Sequence, residues 1–493
     1  MFIASAGSLA SLVVGAALFL MVTRVTIPPF TWLALTLLLH ASRSMTASAG
    51  LPCLWIAFYV AFAIGDRDIV PVPGPEYYAI VAFFATAMTL PFAADRFAIS
   101  RIAGVRATLI FPMGLVAVEF LRSRFVPGGT WGSLAYTQYG YLPLMQVAAL
   151  VGIWGLTFLA AWFASTFEWA WSHGFDWSLV RTPVLTCAVV LGAVVLAGAI
   201  RLGLAPTDGA AVRVATLNRP VDLFIPGEIT RIAEGSVPPA DHDRLHAKLA
   251  RLHDWFLDGS RREARAGARI IVWPETSLLI FKEDEAAFLS RAQQLASDER
   301  VFLAMGMGTV RPGAILPLEN KLVAIDPAGQ IRVSYLKSHP VTGWEAGIMR
   351  VGDGRLPVIS TSNSRIAAAI CHDADFPEFI RQAAQGTADL LVVPVNEWKE
   401  VKTIHFQMHA FRAIETGLPV VRAAASGLSS AFDPWGRVLG VADYFAEGDR
   451  TLTVQLPVGG VRTLYARTGD LFAWLCVAGV VLAVGTALVS LKP

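Results

Sequence analysis

Charge is scarce in this sequence. Lys, Arg, Asp and Glu make up 16% of its 493 residues, against 55% hydrophobic residues. A water-soluble domain carries about 25% charged residues, so much of the chain is expected in lipid. The formal net charge is +2 and no stretch forms a basic block, which argues against nucleic acid as a partner. Cysteine is sparse too. Of the four, Cys53, Cys187 and Cys476 fall in apolar stretches, and Cys371 stands alone in a charged region. With no second cysteine nearby for a disulfide, Cys371 is either an inert core residue or a reactive thiol. Zinc-type spacing of histidine and cysteine, a glycine-rich phosphate loop and a nucleotide motif are all missing. Neither a metal nor a cofactor is expected.

The sequence has long apolar runs instead. Seven candidate spans lie at about 2–22, 27–41, 46–65, 77–94, 107–121, 142–167 and 182–200. A spanning helix needs about 20 residues, so the second and fifth are short. The first is read as a span and not as a signal peptide, because six more follow and no clear cleavage site is visible. Three regions result: a transmembrane domain over 1–204, an α/β domain over 205–468 and a last apolar helix over 469–493. With a cytoplasmic N-terminus, Arg43, Arg96, Arg101, Arg106, Arg181 and Lys492 fall on the inside, and Arg24, Arg67, Arg122 and Arg124 outside. The bias has the positive-inside sign and places the α/β domain outside the cytoplasm.

Within that domain β-rich runs alternate with helical ones. Strands are expected at Val212–Leu217, Ile270–Trp273, Val301–Met305, Lys321–Ile325, Ile366–Ile370 and Leu390–Val393, and amphipathic helices at His242–Leu257 and Asp284–Ala296. Three strand ends carry chemistry. Ile270–Trp273 leads through Pro274 to Glu275, Val333–Leu336 leads to Lys337, and Ala367–Ile370 leads to Cys371. In α/β sheets, sites collect at strand C-terminal ends. A thiol with a pKa near 8.5 is mostly protonated at neutral pH and needs a base. Glu275 is suited to take that proton, Lys337 to favour the thiolate and then an oxyanion, and Cys371 to form a thioester. The backbone N–H of His372 is a second candidate oxyanion donor.

The segments Trp273-Pro274-Glu275-Thr276-Ser277, Tyr335-Leu336-Lys337-Ser338-His339 and Ala368-Ala369-Ile370-Cys371-His372-Asp373 resemble the carbon–nitrogen hydrolase (nitrilase) superfamily. The apolar spans narrow the resemblance to the apolipoprotein N-acyltransferase family. So do Val118–Arg122, Gly132–Gln138, Gly152–Leu156 and Tyr465–Asp470. This resemblance implies a membrane α-helical bundle plus an α/β part, an αββα nitrilase-like sandwich inserted before the last transmembrane helix. It implies a monomer in the bacterial inner membrane, with the catalytic domain extracytoplasmic. The reaction it implies takes an acyl chain from a phospholipid onto Cys371 and passes it to the N-terminal amine of a diacylglyceryl-cysteine lipoprotein.

The resemblance also assigns supporting roles, with departures. Glu345, eight residues after Lys337, stands where the family has a supporting glutamate. Asp373 replaces a glutamate and His372 an aromatic residue. Asn396-Glu397-Trp398 departs from Asn-Asp-Ala-Trp, and Leu217-Asn218-Arg219-Pro220 lacks Gln-Gly-Asn. The tryptophan expected within Val221–Gly235 is missing. Asn396 and Trp398 are kept as supporting residues. These differences concern the acyl acceptor and keep two alternatives open, a membrane-tethered amidase and an acyltransferase with another amine acceptor. A non-catalytic scaffold is disfavoured by the intact Glu275, Lys337 and Cys371. His405, Arg412, Glu415 and Arg422 are read as ion-pair or dimer-face residues. His339 is read as a partner of Lys337 or of its own loop. Glu119 is either an intramembrane functional carboxylate or a partner of Arg122.

Overall fold

The computed structural model describes residues 6–206, 210–220, 223–362, 364–447 and 450–490. Lys492 and Val221 lie outside the described residues. The chain divides into two compact units, Met1–Ala205 with Thr468–Pro493, and Pro206–Arg467.

The first unit is helical. Five helices are long and apolar enough to cross a membrane: Ala6–Arg24, Ala47–Gly65, Pro75–Ile99, Trp177–Gly203 and Leu471–Val489. The expected span at 142–167 is not one helix. It comprises Leu142–Val151 and Trp154–Ser172, bent by 118°. Gly152 between them adopts φ 71°, a conformation that ends a helix and suits glycine. Taken as one broken span, the pair raises the number to six. Pro28–Ser44 and Ile110–Phe125 have 17 and 16 residues, short of the roughly 20 that a straight span needs.

Buried charge in this unit is met either by an ion pair or by neutral donors. Arg43 donates to both oxygens of Asp95 at 2.9 Å and also to Glu168, which lies 3.4 Å from His40. Arg43 lies in the last turn of helix Pro28–Ser44 with its charge met by two carboxylates, and is not a loop cation, which removes one residue from the positive-inside tally. Glu119 is likewise not tied to Arg122 by a hydrogen bond. It accepts from Ser133 Oγ at 2.7 Å, Leu134 N at 2.9 Å and Thr157 Oγ1 at 2.8 Å, while Arg122 donates to the Trp131 carbonyl at 2.5 Å. A buried carboxylate with three donors is satisfied without a hydrogen bond from a cation. Trp154 Nε1 donates to Asp470 at 2.9 Å and so anchors the start of the C-terminal helix.

The second unit holds twelve strands among the described residues: β1 Ala211–Thr216, β2 Ile270–Phe281, β3 Phe302–Val310, β4 Leu318–Ile325, β5 Ile331–Leu336, β6 Val358–Ser360, β7 Arg365–Ala368, β8 Leu390–Asn396, β9 Val420–Ala425, β10 Leu428–Phe432, β11 Val438–Asp443 and β12 Leu452–Pro457. They form two six-stranded sheets, ordered β12-β1-β2-β3-β4-β5 and β11-β10-β9-β8-β7-β6. The sheets share one pairing pattern. Each has three neighbouring parallel strands, β1-β2-β3 and β7-β8-β9, with antiparallel strands outside them. Parallel strands need both faces covered. Here β2 and β3 face β8 and β9 across the sandwich. On one outer face lie helices His242–Arg265 and Glu285–Glu299, and on the other Pro377–Gln385 and Lys402–Thr416. The result is an αββα sandwich whose strands β2, β3, β4, β8 and β9 are almost wholly buried.

Candidate active site

Glu275 was expected at the tip of a strand, but it lies in a break in the middle of one. Strand β2 pairs with β3 up to Trp273, loses register, and resumes at Leu278. Pro274 has no N–H to give to the ladder, and Thr276 adopts φ 47°. The resulting bulge turns Glu275 out of the sheet alternation, a common use of bulges beside sites. Gly306 on β3 makes room for it, since a Cβ there would fall 2.2 Å from the Pro274 carbonyl oxygen.

Lys337 follows β5 directly, as expected. Strand β7 ends at Ala368, so Cys371 opens the short 3-10 turn Cys371–Asp375 and is not the last strand residue. Its φ of 46° is uncommon for a side-chain-bearing residue and marks a tight elbow.

The three residues come together and are buried, at 2%, 1% and 5% exposure for Glu275, Lys337 and Cys371. Lys337 Nζ donates to Glu275 Oε1 at 2.8 Å and to both oxygens of Glu345 at 2.8 Å. Glu345 stands on the single turn Trp344–Ile348, and the Val341 N–H donates to it at 2.6 Å. The second oxygen of Glu275 accepts from the Asn396 backbone N–H at 2.8 Å, and the Asn396 carbonyl accepts from Cys371 Sγ at 3.8 Å. One residue at the end of β8 thus touches both the carboxylate and the thiol. Its side chain donates to Thr276 Oγ1 at 3.1 Å, holding the bulge.

The two carboxylates around the Lys337 ammonium are not equivalent, since Glu345 takes two contacts and Glu275 one. Burial works against charge on Glu345, but Lys337 and the surrounding donors outweigh it and hold Glu345 below the usual carboxylate range. Burial dominates at Glu275 and raises it, with Lys337 opposing and the neighbouring Glu345 charge adding to the rise. Lys337 is disfavoured by burial, yet the two glutamates hold it well above its ordinary value. Burial and the Glu275 charge push the Cys371 thiol well up, against the pull of Lys337. The arrangement is a lysine–Glu345 ion pair beside a proton-poised Glu275 and a protonated thiol. Pairs of titratable groups pushed apart in this way assign acid and base roles.

The supporting residues divide. Asp373, fully buried, does not face the reacting groups. One oxygen accepts from Ser338 N at 3.1 Å, His339 N at 2.8 Å and His339 Nδ1 at 2.9 Å, and the other from Tyr335 OH at 2.7 Å and Ile370 N at 3.1 Å. It clamps the loop after Lys337 to the turn that presents Cys371. His339 belongs to this clamp and stacks on Phe376 with ring centroids 3.9 Å apart. His372 Nδ1 pairs with Asp375 at 2.7 Å. Trp398 is half-buried in the loop after β8, where its carbonyl accepts from Val401 N at 3.1 Å.

Behind the elbow lies a buried ion cluster. His405 sits between Asp375, 3.1 Å from Nε2, and Glu397, which also pairs with Arg422. Arg412 pairs with Glu415 at 3.1 Å. All four residues first read as ion-pair or dimer-face groups are buried within the chain. Burial disfavours the His405 imidazolium, but Asp375 and Glu397 outweigh it and raise its pKa to about 9. Unfolded histidine titrates near 6.5. The stabilisation is fully present below about 6.5 and is lost as pH rises through about 9. Thermal unfolding of the detergent-solubilised protein should show a falling Tm over that window, and His405→Gln should remove the slope. A wild-type Tm that stays level there, or a slope unchanged in the variant, would refute this assignment.

Asn320, Thr276 and Asp375 escaped the sequence reading. Asn320 donates to Glu275 at 2.7 Å and to Glu345 at 3.0 Å. It lies in Leu318–Ile325, where Glu319, Asn320 and Lys321 are all buried, although three polar residues in a row read as an exposed strand end.

Two facing sheets with one pairing pattern, gathering a carboxylate, an amine and a thiol between them, define a carbon–nitrogen hydrolase unit. A carbon–nitrogen hydrolase family model matches residues 242–466, and one for the apolipoprotein N-acyltransferase N-terminal domain matches residues 14–166. The apolipoprotein N-acyltransferase of Geobacter metallireducens is 30% identical over 402 residues, covering 76% of this chain and 73% of that protein. That of Rhodopseudomonas palustris is 29% identical, covering 76% and 73%. Among solved structures, an amidase from Nesterenkonia sp. aligns at 20% identity with a TM-score of 0.41, over 55% of this chain and 98% of that one. The chain belongs to the apolipoprotein N-acyltransferase family.

Proposed function

We propose that the chain transfers a fatty acyl group from a phospholipid, through a thioester on Cys371, to the N-terminal amine of a diacylglyceryl-cysteine lipoprotein. The observation that carries this reading is the buried Lys337 shared by Glu275 and Glu345 beside Cys371, in a chain whose other unit is built of apolar helices. Both substrates are lipids, and lifting a chain out of the bilayer costs about 0.8 kcal/mol per CH₂. An enzyme held in the membrane avoids that cost.

In the first half-reaction Glu275 accepts the Cys371 proton as sulfur attacks the ester carbonyl. Lys337 stabilises the developing oxyanion. The C–O bond breaks, the glycerol oxygen takes the proton from Glu275, and a lysophospholipid leaves. In the second half-reaction the lipoprotein amine attacks the thioester and gives a proton to Glu275. The C–S bond breaks, and sulfur recovers the proton. Because burial keeps the thiol protonated, deprotonation accompanies attack. Glu345 carries the charge that pairs Lys337 and so leaves Glu275 basic.

The test separates this reading from a tethered amidase. Incubation with phospholipid alone should add one acyl mass to Cys371, removable by neutral hydroxylamine, and short amides should not do so efficiently. If a soluble amide acylates Cys371 readily and phospholipid never does, the donor is not a lipid and the amidase reading replaces this one. We also propose an extracytoplasmic α/β unit, supported by the remaining arginine bias. A membrane-impermeant thiol reagent applied to spheroplasts should label a cysteine introduced on its surface. Labelling only after lysis would place the unit in the cytoplasm.

A further inference from the structure

The start of helix His242–Arg265 and the exit of β2 bring together ligands that no step of acyl transfer uses. His242 and His246 are one turn apart on one helix face. Their Nε2 atoms lie 3.2 Å from each other. A donor atom of Glu283, two residues past the end of β2, completes a group in which all three donors lie within 4.8 Å of one another. Both imidazoles stack against Phe281, with centroids at 5.7 and 4.6 Å and interplanar angles of 23° and 25°.

The spacing is that of two ligands on one ion. Metal–nitrogen bonds of about 2.0–2.1 Å at angles of about 90–110° put the two nitrogens about 2.8–3.4 Å apart. A hydrogen bond between two neutral imidazoles would also give 3.2 Å, but it requires neither a carboxylate facing the pair nor a partner on the far nitrogen. Both are present. His246 Nδ1 lies 3.4 Å from Asp284 Oδ2, the carboxylate–histidine arrangement that orients a metal-bound imidazole and raises its basicity.

We propose that His242, His246 and Glu283 form a surface site for a divalent transition-metal ion of the zinc, nickel or copper class, with Asp284 as its outer carboxylate. Two imidazoles and one carboxylate suit these ions, whereas magnesium and calcium prefer all-oxygen sets. The remaining coordination positions are open to water. The ion clips the first turn of a long helix to the end of β2, the strand that displays Glu275. The site is not legible in the sequence, because no cysteine accompanies the two histidines and the third ligand lies 37 residues beyond His246.

The experiment uses the full-length protein in detergent, stripped of metal, in a Cys371→Ala background so that the active-site thiol does not compete. Equilibrium dialysis with Zn²⁺ alone should give one ion per chain. His242→Ala and His246→Ala should each weaken binding by about 100-fold, and Asp284→Asn by about 10- to 100-fold. Both histidines lie at the surface, so the variants should keep the parent circular dichroism. With Co²⁺ the parent should show a visible ligand-field band that the histidine variants lose. Unchanged zinc binding in the His242→Ala/His246→Ala double variant, or no binding by the parent at millimolar Zn²⁺, overturns the proposal.

Discussion

Cys371→Ala should abolish acyl transfer, by on the order of 10⁴-fold or more, and leave the protein folded. The expected loss is large because the thioester has no other atom to form on. The Lys337 ammonium and the backbone donors can bind an ester but cannot accept its acyl group. The expected cost in stability is small, about 1 kcal/mol for one removed sulfur atom. Cys371 already sits at φ 46°, and alanine bears that conformation no worse. Mass spectrometry after incubation with phospholipid should find no acyl increment, and the Tm should stay close to that of the parent. Cys371→Ser should also lose most activity, because Glu275 is poorly matched to a hydroxyl. Cys371→Ala activity within about tenfold of the parent would exclude the covalent route.

Lys337→Met should fail in both activity and stability. Removing one partner of a buried ion pair costs about 3–5 kcal/mol because the other charge is left without compensation. Here one lysine serves two carboxylates, Glu275 and Glu345, with Asn320 as their shared neutral donor. Without Lys337 both folded-state carboxylates are raised above their unfolded value near 4.3. The variant's stability should therefore fall as pH rises above that value and should recover in acid. Lys337→Met/Glu345→Gln should regain part of the stability at neutral pH and none of the activity. Denaturant titration at two pH values, with the acyl-increment assay, distinguishes these outcomes. A Lys337→Met protein as stable as its parent at neutral pH would show that the pair is not buried as described. Glu345→Gln alone makes a third comparison. Glu275 becomes the sole counter-ion of Lys337, its pKa should drop, and its strength as a base should fall with it.

That Glu275, Lys337 and Cys371 come together was legible because each follows a short β-rich run and carries chemistry that such a run seldom ends on by chance. The α/β class of the domain was also legible, whereas its αββα arrangement followed only from the family resemblance. Val, Ile, Leu and Ala dominate Ile270–Val272, Ile366–Ile370 and Leu390–Val393, and strands buried on both faces read as continuous apolar runs. Strands β6 and β9 to β12 were not legible: β6 is three residues long, Arg422 interrupts β9, polar residues cluster or alternate in β10 and β12, and β11 is only half-buried. The sixth apolar stretch, at 142–167, read as one span because hydropathy is blind to the backbone turn at Gly152.

Sequence by itself determined the class of chemistry. A lone cysteine, a glutamate and a lysine in those local settings, with apolar helices before and after, leave few other reactions. The division of labour between the carboxylates was decided only by tertiary structure. Local sequence cannot say that Glu345 takes both of its oxygens to Lys337, or that Glu275 is lifted out of β2 by a bulge opposite Gly306. Nor can it say that Asn320, 45 residues from Glu275, bridges the two. A carboxylate's pKa depends on what surrounds it within a few ångströms. Those neighbours come from β4, β5, β8 and the turn at Trp344–Ile348, which only the folded sandwich brings together.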